Sequence, residues 1–516
     1  MAKPDGWLRA SSRPALRAFT RRVPFSLCYN PFSRIQEIDP RHYGACDLRK
    51  LLLAVCLLCV SLEGLSCGGS SSSSTTKTSG LVYRVFVSNS VSAASSSAGI
   101  YIVNAQNDVH PPSLAPIAAG NTPGMMVVTP NRADTLVFSG ENTAASDNQL
   151  TIIANDTETV TGHVVLPGYT ESIVVSPDSS TAYAAVPTAT VVGESPGVIQ
   201  VVGVGAGAFT GQVSIPAVHY LAINNDGTRL LAMTDVLSTL GPGCSNQTPA
   251  YLFIVTPSSI NIDQCPVSPV PGFDHPVQAF FSSDDTTAYV VNCGAECGGT
   301  QASIQQLNMT TGALGANGPV CAADSNGNQQ CAATVGLMSG STLYLAGTPY
   351  SGGNPSFTCL GAQGETLNCG MLTIFNLNTM TPVNSTAIAI TDGFHNRISM
   401  SGTGQLFVGA RTCTEIIPPV TPPPAGTEVR GCLAIYNTLA TPVGANPAGG
   451  ILIPPANGDV TGIQPLSIRT VVYVVQGGSL YIYDATQDVL RPPETEFQTY
   501  APEMVGYFID AKTVDF

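Results

Sequence analysis

Three histidines stand at the head of short apolar runs: His219 in A-V-H-Y-L-A-I, His275 in F-D-H-P-V-Q-A-F and His395 in G-F-H-N-R-I-S-M. Asp274 and Asp392 lie beside two of them. An imidazole titrates near neutrality, so three of them brought to one place would serve as metal ligands or as acid–base groups. In the alternative reading each histidine begins a repeated unit and hydrogen-bonds to the neighbouring unit's backbone, recurring because the unit recurs.

The other candidate chemistry reads as structural. Asp226, Asp284 and Asp285 suggest a calcium loop or paired carboxylates, but each sits where a tight turn needs a local side-chain acceptor. The stretch Gly203 to Ala208 is rich in glycine yet joins two apolar runs and opens no helix, which excludes a nucleotide site. No G-x-S-x-G, H-E-x-x-H, P-loop or C-x-x-C-H motif occurs, so neither a cofactor nor a resident metal is expected.

Of the 15 cysteines, ten follow Cys67 and fall into sequential pairs: Cys244 with Cys265, Cys293 with Cys297, Cys321 with Cys331, Cys359 with Cys369, and Cys413 with Cys432. An even number in an exported chain favours disulfides. A zinc or redox site at C-G-A-E-C (Cys293 to Cys297) is the alternative, but no neighbouring cysteine pair or histidine completes a ligand set.

Charge is divided along the chain. Ten of the 20 basic residues lie within the first 50 positions, against four of the 34 acidic ones, so the chain beyond Cys67 is strongly acidic. Such a surface repels phosphate backbones, which argues against nucleic-acid binding and leaves metal cations and basic partners open.

Arg49-Lys50 precedes an apolar run from Leu51 to Leu62, too short to span a bilayer but suited to the core of a signal peptide over 49–66. The segment that follows, L-S-C-G-G and a serine tract, resembles a bacterial lipoprotein signal. The resemblance implies lipidation at Cys67 and a Gly/Ser-rich tether over 67–80. Gly64 stands where that family usually has Leu, so plain cleavage and secretion is the alternative; a buried core segment fits poorly with the basic flank and the serines. Residues 1–48 read as a disordered leader or as the product of a start site placed too far upstream. Arg21-Arg22 lies too far from the apolar run for a twin-arginine signal.

The elements that must position all these residues are hairpins. I-V-V-S-P-D-S-S-T-A-Y-A-A-V (Ile173 to Val186) reads as strand, tight turn, strand, and variants recur with turn residues at Asn131, Asp226 and Asp284, then more weakly near Ser339, Gly402 and Ile468. Third and fourth apolar runs follow most hairpins. Four antiparallel strands per period of about 45 to 50 residues predict a β-propeller blade, which buries both faces only by stacking in a ring.

Second strands number eight, from Arg84–Asn89 to the run containing Tyr473, but only seven have a first strand before them. The C-terminal run ending in F-I-D-A-K-T-V-D-F, with Asp510 expected at a turn, supplies the missing one. The fold is thus read as an all-β, eight-bladed propeller of four-stranded blades over 81–516, with seven blades the alternative. Its ring closes by pairing the N- and C-terminal strands and leaves no open edge.

V-S-P-D-S-S-T-A-Y and S-S-D-D-T-T-A-Y-V-V-N resemble the S-P-D-G-x-x-x-Y-V-x-N motif of the YVTN-type β-propeller repeat family, with the motif's turn glycine present as Gly227 and replaced by Ser179 and Asp285. The resemblance runs from Leu81 to the end. It implies a fold used by extracytoplasmic binding and surface proteins and by lactonase-like and redox enzymes, and so supports fold more than activity. The expected role is a binding scaffold at the cell envelope: a monomer anchored only by its lipid, meeting a protein or glycan through the long loops Thr348 to Asn368 and Cys413 to Gly431. The alternative is a lactonase-like or metal-dependent enzyme using His219, His275 and His395 at the channel mouth.

Overall fold

Each apolar run of the repeat is a strand, and each turn signal closes a hairpin. The computed structural model describes residues 77–90, 97–141, 146–263, 265–321, 331–351, 353–360, 366–383, 388–414, 427–430, 432–438, 458–486, 489–490 and 503–516. The leader, the signal segment, Cys67 and most of the tether lie outside them. Thr75–Phe516 forms one compact unit.

Blade 1 comprises Pro123–Val128, Asp134–Ser139, Gln149–Ala154 and Thr159–Val165, and blade 2 Ser172–Val175, Thr181–Val186, Val198–Gly203 and Ala208–Ser214. Blade 3 comprises Val218–Ile223, Leu230–Ser238, Ala250–Val255 and Val267–Val270, and blade 4 Pro276–Phe281, Thr287–Asn292, Ser303–Asn308 and Leu314–Pro319. Blade 5 is Val335–Ser339, Thr342–Gly347 and Gly370–Asn376, with two short outer pieces, Thr381–Pro382 and Ile388–Ile390. Blade 6 is Phe394–Met400, Gln405–Arg411 and Leu433–Asn437; its outer strand, Thr427–Arg430, comes from the insert that precedes the third strand. Blade 7 is Val460–Pro465, Val471–Gln476 and Ser479–Asp484, edged by Val489–Leu490 and Met504–Val505.

The eighth blade joins the two ends of the chain: Phe508–Thr513 pairs with Arg84–Asn89, which pairs with Gly99–Asn104. It has three strands, not four. Single bridges from Ile100 to Ile117 and from Asn104 to Val109 stand where a fourth would lie. Asp510 is not at a turn, contrary to the expectation. The pairing of Phe508–Thr513 with Arg84–Asn89 runs through Asp510, which stands opposite Ser88 within the strand.

The apolar residues pack into eight clusters, each spanning two adjacent blades. Tyr183 and Ile199 of blade 2 meet Leu230 and Phe253 of blade 3, and Val85 and Val87 of the closing blade meet Tyr473 and Leu480 of blade 7. Eight interfaces around one ring decide for eight blades. Second and third strands are covered on both faces, which is why they read as continuous apolar runs. Outer strands such as Thr159–Val165 alternate between exposed and covered positions.

The turn acids do what turn chemistry predicts. Asp178 accepts from the Ser180 N–H at 3.0 Å, Asp226 from Thr228 at 2.8 Å and Asp284 from Thr286 at 3.1 Å. The position after the acid or its neighbour takes positive φ: 65° at Ser179, 74° at Gly227 and 56° at Asp285. Gly227 meets this φ at no steric cost, and a Cβ there would lie 3.0 Å from Pro177 of the preceding blade. Ser179 and Asp285 instead use their side chains to reach back to the preceding blade, Ser179 Oγ accepting from the Asn131 N–H at 3.0 Å and Asp285 accepting from those of Asn225 and Asp226 at 3.0 and 2.9 Å.

Disulfides join Cys244 to Cys265, Cys293 to Cys297, Cys321 to Cys331, and Cys413 to Cys432. Cys369 is disulfide-bonded as well; the side chain of its expected partner, Cys359, lies outside the described residues. Cross-links of this number belong to an oxidising, extracytoplasmic compartment. No helix among the described residues is long and apolar enough to cross a membrane.

Candidate functional site at the channel mouth

Successive strands are antiparallel, so segments leading into first strands and those joining second to third strands emerge on one face of the ring, and the Asp-bearing hairpins emerge on the other. Most of the disulfide-bonded connections lie on the first face. There the first strands surround the mouth of the central channel, which opens into a cavity of about 320 Å³.

The charged lining comes from both sides of the ring. Arg397, on the first strand of blade 6, and Arg411, at the end of its second strand, contribute two guanidinium groups. Glu141 follows the second strand of blade 1, and Glu171 precedes the first strand of blade 2. Tyr169, Tyr220 and Phe394 add aromatic surface. A neighbouring cavity of about 600 Å³ shares Glu141 and extends past Asp459, Thr461 and Tyr507.

The carboxylates differ in environment. Burial pushes the Glu141 carboxyl above its usual range, against the pull of Arg411 and Arg397. Glu171 is held below its usual range, chiefly by the hydrogen bond with His219 Nε2 at 3.0 Å, with the same two arginines adding to the effect. Tyr169 is raised to about 12 by burial and by the two glutamates.

The three sequence-predicted histidines occupy separate environments. His219 borders the cavity through Glu171, its ring against Tyr220 at 4.5 Å between centroids. His275, with φ of 52°, bonds Asp274 at 2.9 Å and packs on Tyr251. Asp274 in turn accepts from the Thr300 N–H at 2.7 Å and so fastens the loop that carries Cys293 and Cys297.

His395 is fully buried; its Nε2–H donates to the Thr391 carbonyl at 2.9 Å, and burial lowers it to about 4, so it is neutral at physiological pH. Asp392 accepts from the Thr414 N–H at 2.7 Å. Among the described residues no group of three or more His, Cys, Asp or Glu side chains is arranged to hold a metal ion.

Sequence reasoning passed over Arg397, Arg411, Glu141 and Glu171. The available signal was scarcity: beyond Cys67 basic residues are few, and two of them flank one hairpin, in F-H-N-R-I-S-M and F-V-G-A-R-T. Glu296 was also missed. It sits between Cys293 and Cys297, is pushed up to about 8 by burial, and accepts from the Thr348 N–H of the blade 5 insert at 2.8 Å.

No family model matches the chain, and no curated protein matches it. Several solved structures are similar in fold. Dihydro-heme d1 dehydrogenase NirN in complex with DHE is 10% identical over 85% of this chain and 79% of its own, with a TM-score of 0.49. The Pseudomonas aeruginosa periplasmic gluconolactonase PpgL is 13% identical over 84% and 98%, with a TM-score of 0.40. The Myceliophteria thermophila Cps50 (Swd1) β-propeller domain is 10% identical over 71% and 98%, also with a TM-score of 0.40. Likeness at this level concerns the fold and carries nothing about chemistry.

Proposed function

We propose that the protein is an exported binding propeller, tethered to the bacterial envelope by a lipidated Cys67, which meets an envelope protein or glycan on the face that carries the channel mouth. One observation carries this reading: the long inserts of blades 5 and 6, the Cys293–Cys297 loop and the charged cavity all gather on one face. The opposite face presents short, self-satisfied hairpin turns. Inserts on a rigid ring vary without disturbing it, which suits that face to recognition.

A photo-crosslinking residue placed in living cells at Ser351, on the blade 5 insert, or at Asp226, on the hairpin face, tests the assignment. Adducts from position 351 and none from 226 are expected; no adduct at 351, or equal yields at both, overturns it. Mass spectrometry of the mature N-terminus tests lipidation, and an unmodified Cys67 sinks the anchor.

A second reading, a hydrolytic enzyme, is favoured by the Glu171–His219 pair at the cavity edge, where a carboxylate orients an imidazole. Its test is a screen of lactone and ester substrates with His219→Ala as control; hydrolysis that survives the substitution excludes this pair as the base.

A further inference from the structure

The cavity at the channel mouth carries charges of both signs that the protein itself leaves without partners. Arg411 makes no side-chain hydrogen bond and no ion pair among the described residues, and its Nε is buried. Arg397 donates from Nε to the Thr461 carbonyl at 2.6 Å and from Nη1 to its neighbour's carbonyl at 2.9 Å, but meets no carboxylate. The described residues donate no hydrogen bond to the Glu141 carboxylate. Elsewhere Lys77 and Arg84 pair with Asp515, Arg469 with Asp108, and Lys512 with Asp510, while Arg132 and Arg229 donate to the Thr513 and Thr228 carbonyls outside this cavity. Arg397 and Arg411 place two guanidiniums without a carboxylate partner among the described residues in one cavity.

The charges are also segregated. Blade 6, which bears both arginines, lies across the eight-membered ring from blade 2, which bears Glu171, and Glu141 comes from adjacent blade 1. A ligand with negative charge at both ends would be attracted on one side and repelled on the other, and a dication would meet the same conflict. A neutral ligand would leave charges on both sides desolvated without a partner, which is costly. The matching occupant carries one charge of each sign at its two ends, with a middle that rests on the aromatic surface of Tyr169, Tyr220 and Phe394.

We propose that the channel mouth binds a short zwitterionic molecule whose carboxylate is held by Arg397 and Arg411 and whose ammonium is held by Glu141 and Glu171. The proposal rests on the reading above only in taking this face as the working one. A short peptide with free termini and an ω-amino acid share the required chemistry.

Calorimetric titration of the full mature protein with trialanine, its C-terminal amide, its N-acetyl derivative and aminohexanoate tests this. Free trialanine is expected to bind, and blocking either end to weaken binding about tenfold or more, the size of a lost charge-assisted hydrogen bond. Arg411→Met should weaken the free peptide but not the amide, and Glu141→Gln the free peptide but not the acetylated one. Aminohexanoate binding as well as trialanine would assign recognition to the ends alone, and preference for the peptide would add contacts to its backbone; both support the proposal.

Failure of trialanine and aminohexanoate to bind at millimolar concentration overturns it, as does a blocked peptide that binds like the free one. Both results are obtained on the unsubstituted protein and stand even where a variant fails to fold. They leave the crosslinking outcome untouched, because that experiment reads the inserts rather than the cavity.

Discussion

Arg84 and Asp515 close the ring with a two-pronged ion pair: Nη2 to Oδ1 at 2.6 Å and Nε to Oδ2 at 2.8 Å. Arg84 is fully buried, and its remaining Nη1 reaches Glu158 of blade 1 at 2.8 Å and the Asn155 carbonyl at 2.6 Å. Lys77 joins at Asp515, and Ser79 bonds Glu158, so residues just before the first strand are fastened to the ring. One guanidinium thus ties together the two ends of the chain and blade 1, adding to the strand pairing that leaves no free edge.

Asp515→Asn is expected to destabilise the propeller by about 3 kcal/mol, since it removes one of the two carboxylates that pair with the buried Arg84 guanidinium. Burial pushes the Asp515 carboxyl up, but hydrogen bonds from Arg84 and Lys77 outweigh it and hold the group below its usual range. Its contribution is therefore complete above about pH 4, its ordinary value, and is lost as pH falls through the lower folded value. In urea titrations of both proteins the stability gap should narrow as pH falls below about 4; a constant difference would refute the linkage.

A buried histidine and a half-buried glutamate shape stability nearer neutrality. His395 falls from 6.5 to about 4, so the folded state resists its protonation and stability drops as pH falls through that interval. Glu296 rises from 4.5 to about 8, so the folded state resists its ionisation and stability drops as pH rises through that interval. Where the intervals overlap the two slopes oppose each other, and above pH 6.5 only that of Glu296 remains. Glu296→Gln should raise the melting temperature at pH 8 and flatten its decline from 6.5 to 8; an unchanged slope would show that Glu296 is solvated.

Asp285 offers a sign test of the hairpin face. Its φ of 56° favours glycine, so Asp285→Gly would stabilise the protein if the side chain did nothing. Because the carboxylate accepts the Asn225 and Asp226 N–H groups of blade 3, both Asp285→Gly and Asp285→Ala should destabilise. Alanine should be worse by about 1 kcal/mol, since it loses the bonds and keeps the unfavourable φ. Thermal melts of the two variants decide it.

The Cys413–Cys432 bridge encloses a sequence separation of 19. In the chain-entropy view the double serine variant should lose about 3 kcal/mol. Guanidinium titration measures the loss; no change would mean that the strand pairing of the blade 6 insert alone holds it.

The repeat made the scaffold legible from sequence because its determinants are local. Turn acids two residues from the N–H groups they bind, runs of apolar residues and cysteines flanking one insert all interact within a single blade or with the next. Strand identities, blade number, ring closure and sequential disulfides could therefore be read in advance. The misplacement of Asp510 shows the limit: its surroundings look like a hairpin turn, and only the pairing with Arg84–Asn89 makes it mid-strand.

The channel mouth was not legible, for the same physical reason. Arg397 and Arg411 meet the field of Glu141 and Glu171 across the ring, at separations in sequence that no periodicity marks. The three histidines stand near the start of first strands but at different register positions: His275 precedes its strand, His395 pairs opposite Ala410 and is buried, and His219 is the extra residue at a bulge, at the cavity edge. The amino-acid sequence by itself determined how each blade folds and meets its neighbour. Only closure of the ring decided which side chains share the central space, because that space belongs to all the blades at once.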